Sequence, residues 1–136
     1  MAQATPYGDR KQCIEFCLDC HRTCIDTAMA HCLEMGGDYV QPAHFRLMMN
    51  CADLCRTTAD FLLSASEFSA QLCALCAEVC EACADSCRDI GDMDNCVLAC
   101  DLCADSCAAM GDQGVPVLDK PAQLEPVLTH PRARPS

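Results

Sequence analysis

Between residues 9 and 110 the small apolar side chains recur at steps of three and four, with charged residues filling the intervals. That is the period of a helix with one buried stripe. A first helix is expected from about Asp9, a plausible N-cap, to Met35, with Gly36-Gly37 as its stop. Pro42 suits a first helical position, so a second helix should run from there to about Ser64. Ser66 can cap a third, which reaches Ile90 before Gly91, and Asp92 can cap a fourth, which ends near Met110 with Gly111 as its C-cap. Connections this short force neighbours to run antiparallel. The expected fold class is therefore all-α, an up-down-up-down four-helix bundle over residues 9–110. Residues 1–8 read as an N-terminal extension. From residue 111 to 136 no periodicity survives, five prolines fall between Pro116 and Pro135, and the segment reads as a Pro-rich tail.

What occupies the stripe is unusual. At about 100° per residue, Cys13, Cys17, Cys20 and Cys24 fall within about 60° on the first helix. Cys96, Cys100, Cys103 and Cys107 repeat that spacing on the fourth. Cys73, Cys76, Cys80, Cys83 and Cys87 share one face of the third, and Cys51 and Cys55 the second. Cys32 lies about 100° from its neighbours' arc and fits the pattern least. Leucines normally hold such a seam. Leu47, Leu54 and Phe61, with Leu75, Val79, Leu98 and Leu102, flank the thiols, placed to pack helix on helix or subunit on subunit. Asp19, Arg22, Asp26, Glu78, Glu81, Asp85, Asp101 and Asp105 avoid the seam and form a solvated face.

Composition sharpens this reading. Sixteen cysteines in 136 residues is about 12%, above the usual range, while aromatics make up only 4%. A net charge of −11 makes nucleic acid and anionic membrane poor partners. No apolar run is long enough for a membrane span. MAQATPYGDRKQC has no basic region followed by an apolar stretch, so the expected location is the cytoplasm. Disulfides are rare there. A thiol can pack as a small hydrophobe, but a core made of thiols is short of volume unless something fills it.

Three kinds of contents compete. Iron–sulfur clusters would want the C-x2-C-x2-C-x3-C-P run, which is absent, and a thiol redox or electron-transfer protein is the class they would represent. Intrahelical disulfides are disfavoured, because i,i+4 Cβ atoms lie about 5–6 Å apart and a bridge wants about 3.5–4.5 Å. A zinc or general soft-metal buffer takes four thiolates per ion, and filling sixteen thiolates with four Zn²⁺ leaves about −8 buried. Cu(I) is soft and singly charged and accepts two or three thiolates, so one ion per thiolate leaves the interior neutral. No nucleophile–base–orienter arrangement points to an enzyme.

CIEFCLDCHRTC, CALCAEVCEACADSC and CVLACDLCADSC on antiparallel helices resemble the bacterial copper storage proteins over about residues 9–110. The resemblance implies a tube holding many Cu(I) ions, a homotetramer of bundles and a cytosolic member. It leaves room for a cytosolic copper chaperone as donor or recipient.

The two ends of such a bundle differ. Where the first helix closes, the second starts, the third closes and the fourth starts, the chain gathers His31, Cys32, Met35, His44, Met48 and Met93. On the wheel His31 and Met35 continue the first thiol arc, and His44 and Met48 the second. These are candidate metal ligands and the expected copper entrance. Cys13, Thr58, Leu62, Cys73, Cys107 and Met110 gather at the opposite end, beside Phe61-Leu62-Leu63, which is the expected plug. His21 and His130 are expected to be solvated.

Overall fold

A computed structural model describes residues 6–113. The amphipathic stripes fold as their period requires. Helix α1 spans Pro6–Asp26; it continues without a break into a π-helical turn, Thr27–Cys32, and the short α2, Leu33–Met35. A 3-10 turn, Gly37–Val40, leads to α3, Pro42–Leu63; α4 is Ser69–Ile90 and α5 is Asp94–Gln113. The α1–α2 rod packs on α3 and α5, and α4 packs on α3 and α5, closing a ring of four antiparallel rods. No strand occurs among the described residues, and no described helix is long and apolar enough to cross a membrane.

Four helix ends differ from the sequence expectation. Asp9 is not an N-cap, because α1 already starts at Pro6. Asp92 does not cap α5; it sits in the left-handed region at φ 62°, beside Gly91 at φ 94°, where the chain reverses before Asp94. Gly111 does not end α5 either. A Cβ there would lie 3.1 Å from the Cα of Ala74, so its missing side chain lets α5 approach α4 while the helix runs on to Gln113. Ser66 is not the cap: its hydroxyl accepts from the Phe68 N–H at 3.0 Å in the turn before the helix, Phe68 holds the cap position, and α4 begins at Ser69. The expected tail lies, from residue 114, outside the described residues, as does His130.

All sixteen thiols are fully buried along the axis of the ring, with Ala28, Ala52, Ala59, Ala84, Ala99 and Ala104 between them. Leu47, Leu54 and Val79 lean on this core from its edge. Leu75, Leu98 and Leu102 stand largely on the outside, Leu98 at 59% exposure.

Candidate metal centre

The seam steps of three and four put about one thiol per turn of α1, α4 and α5 onto the axis, α3 adds Cys51 and Cys55, and the sulfurs interlock. Cys55 Sγ lies 3.5 Å from Cys80 and 3.7 Å from Cys76. Cys24 Sγ lies 3.7 Å from both Cys96 and Cys100, and Cys107 Sγ 3.6 Å from both Cys13 and Cys17. Four sets of four thiols have their sulfurs within 4.8 Å of one another: Cys17, Cys76, Cys103, Cys107; Cys20, Cys24, Cys51, Cys100; Cys20, Cys55, Cys80, Cys103; and Cys24, Cys83, Cys96, Cys100. A fifth set, Cys13, Cys73 and Cys107, has three. Cys20, Cys24, Cys100, Cys103 and Cys107 each belong to two sets. A closed tetrahedral zinc site owns its four ligands. Shared thiols suit bridging between many adjacent ions instead.

Electrostatics in the column follow from burial and hydrogen bonding. The thiols cannot all ionise side by side without metal. Cys107 lends a hydrogen bond that pulls Cys103 far down, and its own pKa is driven far up by that same neighbour. Burial disfavours many adjacent thiolates, so cations must replace thiol protons as the column fills.

At the end expected to be the mouth, the π turn changes which residues face inward. Its hydrogen bonds span five residues rather than four, so the chain turns less per residue. This absorbs the phase error of Cys32, whose Sγ is fully buried 3.7 Å from the Sδ of both Met48 and Met93. Burial raises the Cys32 pKa. The same slip removes Met35 from the arc it was expected to continue: it is 53% exposed on the outside of the rod. His31 is displaced too. It stands half-buried against Tyr39, ring edge to face at 5.2 Å between centroids, with Nε2 3.8 Å from Asp92 Oδ2, too far for a hydrogen bond.

His44 keeps the inward position expected of it. It is 3% exposed, its Nδ1 lies 2.7 Å from Ser86 Oγ, and its Nε2 is buried with no partner. With Nδ1 donating to Ser86, Nε2 presents a bare lone pair, the usual arrangement for an imidazole ligand held by an outer hydrogen bond. Burial lowers its pKa, which keeps the ring neutral. Ser86 is the residue that sequence reasoning missed; a serine on the rim of a thiol stripe carries no signal until the helices are docked. His21 is not solvated: its Nδ1–H donates to Ala52 O at 2.8 Å, tying α1 to α3.

The opposite end closes differently. Leu62 is buried, and Arg10 Nη1 donates to its carbonyl at 2.7 Å. Thr58, one turn from Cys55, is fully buried with no partner for its hydroxyl.

This interlocked thiol column in an antiparallel bundle is a metal-sequestering architecture, and the comparisons say which. The chain matches the family described as Csp: Copper storage protein over residues 8–112, and it belongs to that family. A crystal structure of a protein from Nitrosospira multiformis is 48% identical with a TM-score of 0.76, covering 77% of this chain and 96% of that one. The Cu(I)-bound copper storage protein BsCsp3 is 33% identical at a TM-score of 0.71, covering 76% and 98%. The apo form of copper storage protein 3 from Bacillus subtilis is 35% identical at 0.62, covering 74% and 97%. No curated protein matches the chain.

Proposed function

We propose that this chain is a cytoplasmic store for Cu(I), holding many ions along its axis on Cys13, Cys17, Cys20, Cys24, Cys32, Cys51, Cys55, Cys73, Cys76, Cys80, Cys83, Cys87, Cys96, Cys100, Cys103 and Cys107. One observation carries the reading: sixteen fully buried thiols whose groups of four share members. Soft, singly charged ions neutralise such a column one per thiolate, whereas divalent ions in separate sites leave it charged and its shared thiols contested. His44, Met48 and Met93 add neutral ligands at one end, with His31 beside them. Met35 points away and has no part unless α2 moves. The role is sequestration rather than catalysis.

The ring of helices is the storage unit, over about residues 9–110. The exposed leucines, Leu75, Leu98 and Leu102, support assembly of several bundles, a tetramer by likeness to the family. A cytosolic copper chaperone fits as the carrier. The test is anaerobic titration of the reduced protein with Cu(I) against a chromophoric chelator. The expected capacity is about sixteen ions per chain, one per thiolate. A capacity of four or fewer refutes the filled column and supports zinc.

A further inference from the structure

The two connections at the His/Met end are tied across it. Tyr39, in the 3-10 turn after α2, donates its hydroxyl to Gly91 O at 3.2 Å in the loop between α4 and α5, and its ring stands nearly perpendicular to that of His31. The axial opening is strapped. Beside the strap lies a surface cavity of about 380 Å³. One wall is Asp26, Thr27, Ala30 and His31 on the π-turn side; the other is the start of α5, with Asp92, Asp94 and Asn95 at the rim. Met93 and Cys96 line it as well, and both are buried. Met93 Sδ is 3.7 Å from Cys32 Sγ, while Cys96 Sγ is 3.7 Å from Cys24 and 3.8 Å from Cys87. Two residues at the floor of the cavity thus carry sulfurs of the column, both covered in this structure.

We propose that Cu(I) enters and leaves sideways through this cavity, between the π turn and the start of α5, rather than along the bundle axis. This rests on the copper-storage reading.

The lining offers ligands in order of increasing softness. Asp26, Asp92 and Asp94 are hard oxygen donors that hold a soft ion weakly, yet their charge concentrates cations at the rim. His31 follows, its Nε2 buried without a hydrogen-bond partner. The Met93 thioether comes next and the Cys96 thiolate last. Each exchange of ligand passes the ion to a tighter one without a deep trap on the way. On reaching Cys96 the ion displaces the thiol proton, which leaves to solvent, so charge is conserved along the column. The π turn is part of the device. It widens the rod where the slot opens and aims Cys32 at Met93, where a regular α-helix would aim it elsewhere.

The experiment follows uptake by the full-length reduced chain of Cu(I) supplied as its labile, cationic acetonitrile complex, read by stopped-flow absorbance of the copper–thiolate bands. The D26N/D92N/D94N variant removes the rim charge; asparagine tolerates the left-handed backbone at position 92. It should load about tenfold more slowly at low ionic strength, with the gap closing in high salt. Ala30→Trp, on an exposed wall position, should slow loading at every salt concentration. Tyr39→Phe unties the strap and should leave the rate unchanged. All variants should reach the parent's capacity and helicity. Faster loading by Tyr39→Phe, with parental rates in the other two, overturns the sideways route in favour of the axis. A parent that takes up no Cu(I) at equilibrium refutes the storage reading itself, which keeps the two failures distinct.

Discussion

The two ends of the bundle are built from the same four rods and finish in opposite ways. At the Leu62 end the column stops on hydrocarbon and hydroxyl, and the turn is sewn by short bonds: Ser64 Oγ and Ser69 Oγ both donate to Phe61 O, at 3.0 and 3.1 Å, and Arg10 holds Leu62 O. At the His44 end the column stops on thioether and imidazole, and two buried ring nitrogens have no hydrogen-bond partner. Its connections pass through Gly36, Gly37, Gly91 and Asp92, all at positive φ. The Leu62 end leaves one buried polar atom without a partner, the Thr58 hydroxyl, which is a poor ligand for a soft ion; the His44 end leaves two imidazole nitrogens that a metal would satisfy. Buried polar atoms without partners are uncommon in folded proteins, so their concentration at the His44 end marks where function has displaced packing.

The contrast can be broken most sharply by exchanging the two kinds of damage. Leu62→Ala should lower the stability of the apo-protein by about 2–5 kcal/mol, the usual cost of truncating a buried leucine. Cu(I) uptake rate should hardly change; a slowed uptake would mean that the Leu62 end also conducts. Replacing His31, His44 and Met48 together by Ala, Ala and Leu should do the reverse. Loading and chelator-driven release should slow by about an order of magnitude, chiefly through the loss of His31 from the side cavity, while capacity falls by no more than a few ions because every cysteine remains. Unaltered rates would reduce these residues to packing.

Deleting Met29 sharpens the comparison from within the His44 end. The π turn accommodates one residue too many, so its removal restores steps of four and then three from Cys24 through Ala28 to Cys32. The expected product is a regular α-helix with Cys32 still facing inward, unchanged capacity and a melting temperature equal to or above the parent's. Mass-spectrometric labelling that finds Cys32 exposed in the folded variant would show that the turn does more than correct phase.

The smallest expected effect is on pH dependence. Burial lowers the pKa of His44 in the folded apo-protein, so near pH 6.5 and below the unfolded chain binds a proton that the folded chain refuses. The stability from keeping that ring neutral is present at pH 8 and is lost as pH falls through the unfolded value of about 6.5. Urea midpoints measured from pH 8 to 5.5 should therefore decline more in the parent than in His44→Gln. Parallel curves would show that His44 titrates equally in both states.

Much of this was legible in the chain. Steps of three and four predict both the helices and the burial of Cys13 to Cys24, Cys73 to Cys87 and Cys96 to Cys107, because a thiol stripe obeys the same wheel as a leucine stripe. The wheel failed where its period failed. Nothing in Thr27-Ala28-Met29-Ala30-His31-Cys32 announces a π turn, since the slip shows only against the docked neighbours; on a regular wheel Cys32 therefore falls about 100° off the thiol arc and Met35 falls on it. Gly111 reads as a helix stop in one dimension and proves to be a contact with Ala74 in three. The pairing of His44 with Ser86 and of His21 with Ala52 O joins residues 42 and 31 positions apart, beyond any local pattern.

The alanines and thiols that line the axis have a consequence for the lifetime of the chain in a cell. Each Cu(I) that binds the folded column more tightly than the unfolded chain adds to the free energy of unfolding by mass action. The probability of transient opening, and with it exposure to proteases, then falls with every ion taken aboard. Empty chains should then be cleared first and laden ones persist, which would grade the population by cargo without a dedicated sensor.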